Sequence, residues 1–514
     1  MAIDYLNLSS SDDLGRWSDR LFYRVFEIFP GFLSWSTLVL AGLLSWLAPV
    51  AVAIFIIIFD LYWLLRVLYL AFHQVSSHRK MKISIATDWF GKLKKEKDGA
   101  WQNIYHLIVL PFVNEGEGVL RSTLQEIGKS DYSRDKFIIV FALEERSGVA
   151  ARNAVANMTR EFKGIFYSMT STVHPAGIAG ELAGKGANVE WSVKELQKSF
   201  FPKLPIDTKN IIVSLFDIDT KPYPGYFACV TWHYLNEADR QHVSFQPIPV
   251  YNNNIWEASV FSRIVASSST FWQMMQQERS ELLVTFSSHS MPLATLLEVG
   301  YPRNAVSDDS RIYWRAYFKY GGNYKVVPLY YPVSMDAVIA PTIWRTILNQ
   351  YRQQRRWSWG VENVPYVMFN LFLNPASGNI PLSKKLSHAV AMLEGFWSWA
   401  TGSIITFFLG WLPLLFGGSN FNRTLLAYNL PNLTSRILTL AMAGMIVSAI
   451  ISLQLLPPRP EGYSKWRTLS MVLQWVLLPV TLIIFGSFPA LESQTRLMIK
   501  KPLGFWVTEK SQNK

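Results

Sequence analysis

The feature that most limits what this chain can fold into is a pair of apolar blocks near its two ends. From Gly31 to Phe72 the only charged residues are Asp60 and Arg66, and Phe396–Phe416, Ile437–Leu456 and Leu469–Phe488 contain no Lys, Arg, Asp or Glu. About 20 apolar residues let an α-helix cross a bilayer, where each backbone polar group must find its partner inside the segment. The pattern predicts transmembrane helices over 32–48 and 50–71, hinged near Pro49, and about three more within 389–490. The leading block is too long, and starts too late, for a cleavable signal peptide. The chain is 50% hydrophobic with 20 Trp, 22 Tyr and 32 Phe, rich for a soluble enzyme.

The remaining sequence divides accordingly. Residues 1–30 form a cytoplasmic N-terminal segment, 31–72 two membrane helices, 80–363 a soluble domain, 364–385 an interfacial amphipathic segment and 491–514 a basic tail. His78-Arg-Lys-Met-Lys82, Lys92-Leu-Lys-Lys95 and Lys384-Lys385 flank the apolar blocks, which places the soluble domain in the cytoplasm, at the cell's inner membrane. Five spans put the C-terminus outside, whereas Arg496, Lys500 and Lys501 favour the cytoplasm. The single cysteine, Cys229, excludes an intramolecular disulfide. A net charge of +12 with no basic low-complexity tail or nucleic-acid module points to anionic lipids and phosphorylated substrates as partners, and to no nucleic acid.

Within 80–363, Tyr105–Pro111 reads as a strand, Gly116–Ile127 as a helix and Lys136–Leu143 as a second strand. This is a βαβ unit, whose strands are parallel and whose ligands gather beyond their carboxyl ends. Ala151–Phe162 reads as a helix, Gly164–Ser168 as a short strand and Val189–Phe201 as a helix opened by Gly184-Lys-Gly-Ala-Asn188. The run Ile211-Ile-Val-Ser-Leu-Phe-Asp-Ile-Asp219 is a buried strand with two acids at its tip. On one face of an extended chain Asp217 and Asp219 can share a divalent cation, although a D-x-D also occurs as a solvated turn. Arg311–Tyr320 reads as a helix started by Ser307-Asp-Asp309, and Pro341–Gly360 as one carrying Arg345, Arg352, Arg355 and Arg356 interleaved with tryptophans. The segment Val364–Leu373 is expected along the membrane surface.

Pro111-Phe-Val-Asn-Glu115, an acidic end to the second strand, Lys185-Gly-Ala-Asn188, Asp217-Ile-Asp219, Ser307-Asp-Asp309 and Gln353-Gln-Arg-Arg-Trp357 occur in that order. Together they resemble the family 2 glycosyltransferases of GT-A fold, most of all the membrane-embedded branch of cellulose and hyaluronan synthases. The resemblance covers roughly residues 100–360. It implies an α/β GT-A (Rossmann-like) domain inserted between N-terminal and C-terminal transmembrane helices. The implied activity is inverting transfer from a nucleotide-diphosphate sugar to a growing polysaccharide, with extrusion, or a single transfer to a lipid-linked acceptor. A transporter with a non-catalytic domain is the reading from another class, and no G-x-x-x-x-G-K-[ST] supports an ATPase.

Residue by residue, the resemblance makes Asp309 the catalytic base and gives Asn114, Glu115, Glu144, Lys185, Asp217 and Arg356 to the nucleotide sugar. Gln353 and Trp357 fall to the acceptor, with His289 as a further candidate placed between the acidic strand and Asp309. Asp217 and Asp219 would hold Mg²⁺ or Mn²⁺, since hard ions suit oxygen ligands and a diphosphate. Where the family has Asp, this chain has Glu144-Glu-Arg146, leaving Glu144 or Glu145 for the nucleotide. Where the family has Thr-Glu-Asp, it has Ser-Asp-Asp. Several roles have plain alternatives. Asp309 sits where an acid favours a helix start, Lys185 at an exposed helix N-terminus, and a lone histidine such as His289 is often structural.

Overall fold

The computed structural model describes residues 3–113 and 115–504. Eight strands form one mixed sheet: β1 Tyr105–Phe112, β2 Phe137–Glu144, β3 Ser168–His174, β4 Ile211–Leu215, β5 Lys221–Pro222, β6 Val243–Val250, β7 His289–Pro292 and β8 Lys325–Ser334. Their order is β3-β2-β1-β4-β7-β6-β8-β5. The first four pair in parallel, β7 runs antiparallel between β4 and β6, and β6 pairs with β8 in parallel.

Alternation along the central strands explains why they read as unbroken apolar runs. Ile108, Leu110 and Phe112 of β1, with Phe137, Ile139 and Phe141 of β2, enter one core. Leu107 and Val109, with Ile138 and Val140, enter the core on the opposite face. Both faces are covered, so successive side chains are all buried, each contributing about 1.5–3 kcal/mol. The expected strand 164–168 is displaced: β3 starts at Ser168, because Gly164 adopts a left-handed φ of 80° and the preceding residues turn.

Helices Trp17–Leu47 and Pro49–Ala86 lie on the N-terminal side, broken at Ala48 as expected but longer than 32–48 and 50–71. The second carries the basic cluster 78–82 on its last turns. Among the described residues four helices are long and apolar enough to cross a membrane: these two, Leu425–Gln454 and Trp466–Met498. Leu382–Phe407 and Leu409–Phe416, bent by 46°, make a fifth if counted as one span.

Arg66 pairs with Glu394 of the Leu382–Phe407 helix and donates to Ser398 Oγ and Tyr62 Oη, both at 2.7 Å. Asp60, on the same helix, is 1% exposed. The segment expected along the membrane surface forms the helix Asn363–Leu373, whose residues 363–371 are buried in the domain core. Its apolar residues outnumber what one face can hold, so the helix is covered nearly all round.

Candidate functional site

The strand leading to Asp217 ends earlier than its apolar run. The last ladder pairs of β4 are Val109↔Leu215 and Leu215↔His289, after which the Thr220 amide donates to the Asp217 carbonyl at 2.9 Å. Asp217 and Asp219 therefore occupy a turn, not one face of an extended strand. Asp217 is 32% exposed at its side chain and Asp219 only 1%. Asp219 Oδ2 accepts from the Asp336 amide at 2.9 Å, and Asn253 donates both to the Asp219 carbonyl (3.1 Å) and to Asp336 Oδ1 (2.9 Å). Asp217 Oδ2 accepts from Ser287 Oγ at 2.9 Å. Ser287 holds a left-handed φ of 50°, a strained conformation for serine that presents its hydroxyl to the acid.

Lys185 joins the separate motifs. It opens the helix Lys185–Ser199 and its ammonium donates to Asp217 Oδ1 at 2.9 Å and to Asp309 Oδ1 at 2.8 Å. Gly186 permits this approach, since a Cβ there would lie 2.2 Å from the Pro302 carbonyl oxygen and 3.1 Å from Asp308 Cβ. Burial works to lower the Lys185 pKa, but the carboxylates of Asp217, Asp309 and Asp308 overcome it and hold the ammonium charged. Asp309 responds in the other direction. Burial raises its pKa above the usual carboxylate range, against the opposing pull of Lys185, and Asp217 adds to the rise. Asp308 is raised well above its ordinary value by burial and by Asp309.

Asp309 lies in the first turn of Asp308–Lys319, where Ser307 makes no capping bond with its side chain. Ser307 instead turns to Glu362, whose Oε1 accepts from its amide and hydroxyl at 2.8 and 2.7 Å. Tyr301 Oη donates to Asp309 Oδ1 at 3.2 Å.

The helix Ile343–Ser358 delivers the last motif. Arg356 is close enough for its charge to lower the pKa of Asp308 and Asp309. Trp357 packs its ring 5.9 Å from Tyr251 and 6.1 Å from Phe286. Tyr251 in turn feels the charges of Asp217, Asp219 and Arg356, so this aromatic group borders the acidic turn. Gln353 is 5% exposed and accepts from Gln350 at 3.1 Å, facing inward on the same helix.

Other candidates fall elsewhere. Glu115 Oε2 accepts from the Val113 amide at 2.9 Å and shapes the loop after β1, while Asn114 lies outside the described residues. Glu144 and Glu145 border a cleft at the ends of β2 and β3. His289 is completely buried on β7, where burial depresses its pKa to about 3. Sequence reasoning missed Asp336, Asn253, Tyr301 and Ser287. A lone acid directly after the apolar run of β8 and the triple Asn252-Asn253-Asn254 were the available signals for the first two.

Among the described residues no three His, Cys, Asp or Glu side chains converge to hold a metal by themselves. The donor set at the turn is nevertheless all oxygen, and Mg²⁺ or Mn²⁺ commonly takes one or two carboxylates and completes its shell from substrate phosphate and water. Asp217 and Asp219 fit that kind of site.

No family model matches the sequence, and no curated protein matches it. Solved structures give distant likenesses. A mannosyltransferase from Pyrobaculum calidifontis, in complex with GDP-mannose and Mn²⁺, is 13% identical over 80% of this chain and 99% of its own, with a TM-score of 0.37. TarS 1–349 of S. aureus, in complex with UDP-GlcNAc, is 10% identical over 77% of this chain and 93% of its own, with a TM-score of 0.35. Likeness of that degree carries no argument about this chain's chemistry.

Proposed function

We propose that the protein is a membrane-integrated, inverting glycosyltransferase that moves a sugar from a nucleotide-diphosphate sugar to a growing polysaccharide at the cytoplasmic face. The single observation that supports this best is the Lys185 ammonium held between Asp217 and Asp309. It sets an acidic turn suited to a metal-bound diphosphate beside a second carboxylate suited to proton abstraction. These are the two ends of a glycosyl displacement.

In this reading the acceptor hydroxyl attacks the sugar's anomeric carbon as the bond to the diphosphate breaks, and the hydroxyl proton passes to Asp309. A carboxylate whose pKa is lifted by burial takes up a proton more readily, which suits a general base. Tyr301 and Lys185 orient that carboxylate. Lys185 and Arg356 offset negative charge as it accumulates on the leaving group. Trp357, backed by Tyr251 and Phe286, supplies a flat apolar wall for the acceptor sugar. A bound Mg²⁺ or Mn²⁺, held by Asp217 and Asp219, would stabilise the departing diphosphate.

Repeated transfer with extrusion follows from the motif resemblance and the flanking apolar helices. The test is incubation of the purified protein in lipid with a panel of radiolabelled nucleotide sugars, followed by sizing of the products. Long chains support polymerisation, one added sugar on a lipid supports the single-transfer alternative, and no transfer from any donor would refute the enzymatic reading.

A further inference from the structure

β6 and β8 pair in parallel and leave the sheet together, Val250 opposite Ser334. Both continuations run beyond carboxyl strand ends, where ligands gather in a sheet of this kind, and both touch Asp219. The continuation of β6 is Tyr251 followed by three asparagines. Asparagine is common in loops because its side chain bonds the backbone close by in sequence. These three bond across to other segments instead. Asn252 Oδ1 accepts from Ser334 Oγ at 2.7 Å, and its Nδ2 donates at 3.2 Å to the carbonyl of Leu455, the residue that ends the helix Leu425–Gln454. Asn254 exchanges two bonds with Ala337, donating to its carbonyl at 3.0 Å and accepting from its amide at 2.8 Å. Between them, the Asn253 amide donates to the Met335 carbonyl at 3.1 Å.

The side chain of Asn253, so anchored, reaches the acidic turn. Its Nδ2 carries two hydrogens, and they go to the Asp219 carbonyl at 3.1 Å and to Asp336 Oδ1 at 2.9 Å. The Asp336 amide donates in turn to Asp219 Oδ2 at 2.9 Å, which closes a ring of three bonds. Asp219 is therefore held twice, by its main chain through Asn253 and by its carboxylate through Asp336. Asp219 and Asp336 are both buried, so the ring lies out of water. An alanine at position 253 would leave two buried acceptors without their donor, which is costly, and an aspartate would set a third acceptor against them.

We propose that Asn253 is a positioning residue for the divalent cation: it acts through Asp219, whose carboxylate it fixes by way of the ring with Asp336. This rests on the reading that Asp217 and Asp219 hold Mg²⁺ or Mn²⁺. Metal affinity depends on the direction in which a carboxylate presents its oxygens, and groups that hold such a ligand from behind are worth about 10–100-fold in affinity. Asp219 depends on them the more because it sits in a turn past the end of β4, where no strand ladder fixes its main chain. The three asparagines supply that order from the neighbouring strand ends and, through Leu455, from the end of a helix long and apolar enough to cross a membrane.

The test is Mn²⁺ binding to the full-length protein in nanodiscs of phosphatidylcholine, read from the loss of the free Mn²⁺ signal in electron paramagnetic resonance, with thermal unfolding measured beside it. Asp219→Asn identifies the site by the binding it removes. Asn253→Ala is expected to weaken that binding about 10–100-fold. Asn253→Asp supplies the sign. A negative charge merely near the cation would tighten binding, whereas a third acceptor against the two that Asn253 serves opens the ring and weakens it. Unchanged Mn²⁺ affinity in Asn253→Ala, whatever its melting temperature, or tighter binding in Asn253→Asp, overturns the inference and leaves the metal reading intact. No saturable Mn²⁺ binding in the wild type, or binding that Asp219→Asn leaves untouched, overturns both. Should Asn253→Ala not fold, Asn253→Asp, which keeps the side chain's shape, decides.

Discussion

Replacing Lys185 with methionine removes the one ammonium that bridges Asp217 and Asp309, while keeping most of the side chain's volume. Lys185 Nζ sits 2.9 and 2.8 Å from its partner oxygens, and its side chain is 10% exposed. Unit charges about 4 Å apart attract by about 4 kcal/mol at an effective dielectric of about 20, and breaking a buried pair costs about 3–5 kcal/mol. Asp217 is 32% exposed, so solvent screens part of its share, and proton uptake by one of the remaining acids limits the rest. The expected loss is about 3 kcal/mol near pH 8. Its pH dependence carries the stronger test. Asp308 and Asp309 have native pKa values raised above the unfolded value, so the native state holds protons that the unfolded chain releases. Stability then falls as pH rises through those native values. Lys185 opposes the rise, so its removal pushes both acids higher and extends the fall to higher pH, within the window above the unfolded carboxylate value. The lysine's own raised pKa is lost only above its unfolded value near 10.4 and adds no slope in that window. Thermal unfolding followed by tryptophan fluorescence should show Lys185→Met several degrees below the wild type at pH 8 and closer to it at pH 5. Parallel pH profiles, or melting temperatures within a degree of each other at pH 8, would refute the bridge as an energetic link.

Asp309→Asn should leave donor affinity near normal while transfer falls about 10²–10⁴-fold, the usual effect of losing a general base; retained transfer with lowered stability would return Asp309 to the role of helix-start acid. In the wild type, transfer should fail on acidification at a higher pH than an ordinary carboxylate would give, because burial raises the Asp309 pKa; a pH–rate profile of kcat/KM reads this. Gly186→Ala places a methyl 2.2 Å from the Pro302 carbonyl oxygen, forcing an overpacking cost of about 1–3 kcal/mol and displacing Asp308; thermal unfolding and a transfer assay should fall together. Arg66→Leu strands Glu394 between helices, so the double variant Arg66→Leu/Glu394→Leu should melt higher than the single one; equal melting of the two would show that the pair has no energetic coupling.

Much of the central domain was legible because its strands follow simple rules. β1 and β2 are short apolar runs, and both faces of each are covered, so their limits differ from the sequence reading by a residue. β4 shows where the rule stops. Its apolar pattern continues through Phe216 and Ile218, yet the ladder closes at Leu215, where β7 ends at His289, and one further bond from the Phe216 amide to the Val109 carbonyl is the last before the turn. Burial and strand conformation part company at that point, and a pattern of apolar residues reports only burial. His289 and residues 363–371 are buried, and one residue's type, or one segment's mixed composition, does not say which neighbours will cover it. Lys185 was legible only as a lysine at a Gly-flanked helix start. Its contact with Asp309, far away in the chain, depends on the close approach at Gly186 and on where the Asp308–Lys319 helix begins.

The start of that helix is fixed from outside the sheet. Arg311, 2% exposed, donates to the Leu8 carbonyl at 3.0 Å and to the Glu362 carbonyl at 3.2 Å, and Asn304 donates to the Asn7 carbonyl at 2.6 Å. Glu362 also holds Ser307, and it receives the Trp359 indole N–H at 2.8 Å just past the Gln353–Trp357 motif. The first residues of the chain and the end of the motif helix therefore grip the same turn that carries Asp309. A carboxylate that must meet a hydroxyl within hydrogen-bond distance loses much of its effect if misplaced by about 1 Å. Neither Ser307, which does not cap its own helix, nor the local sequence around it provides that accuracy. The distant contacts do, and they tie the Ser307-Asp-Asp309 turn to the residues that follow the Gln353–Trp357 motif.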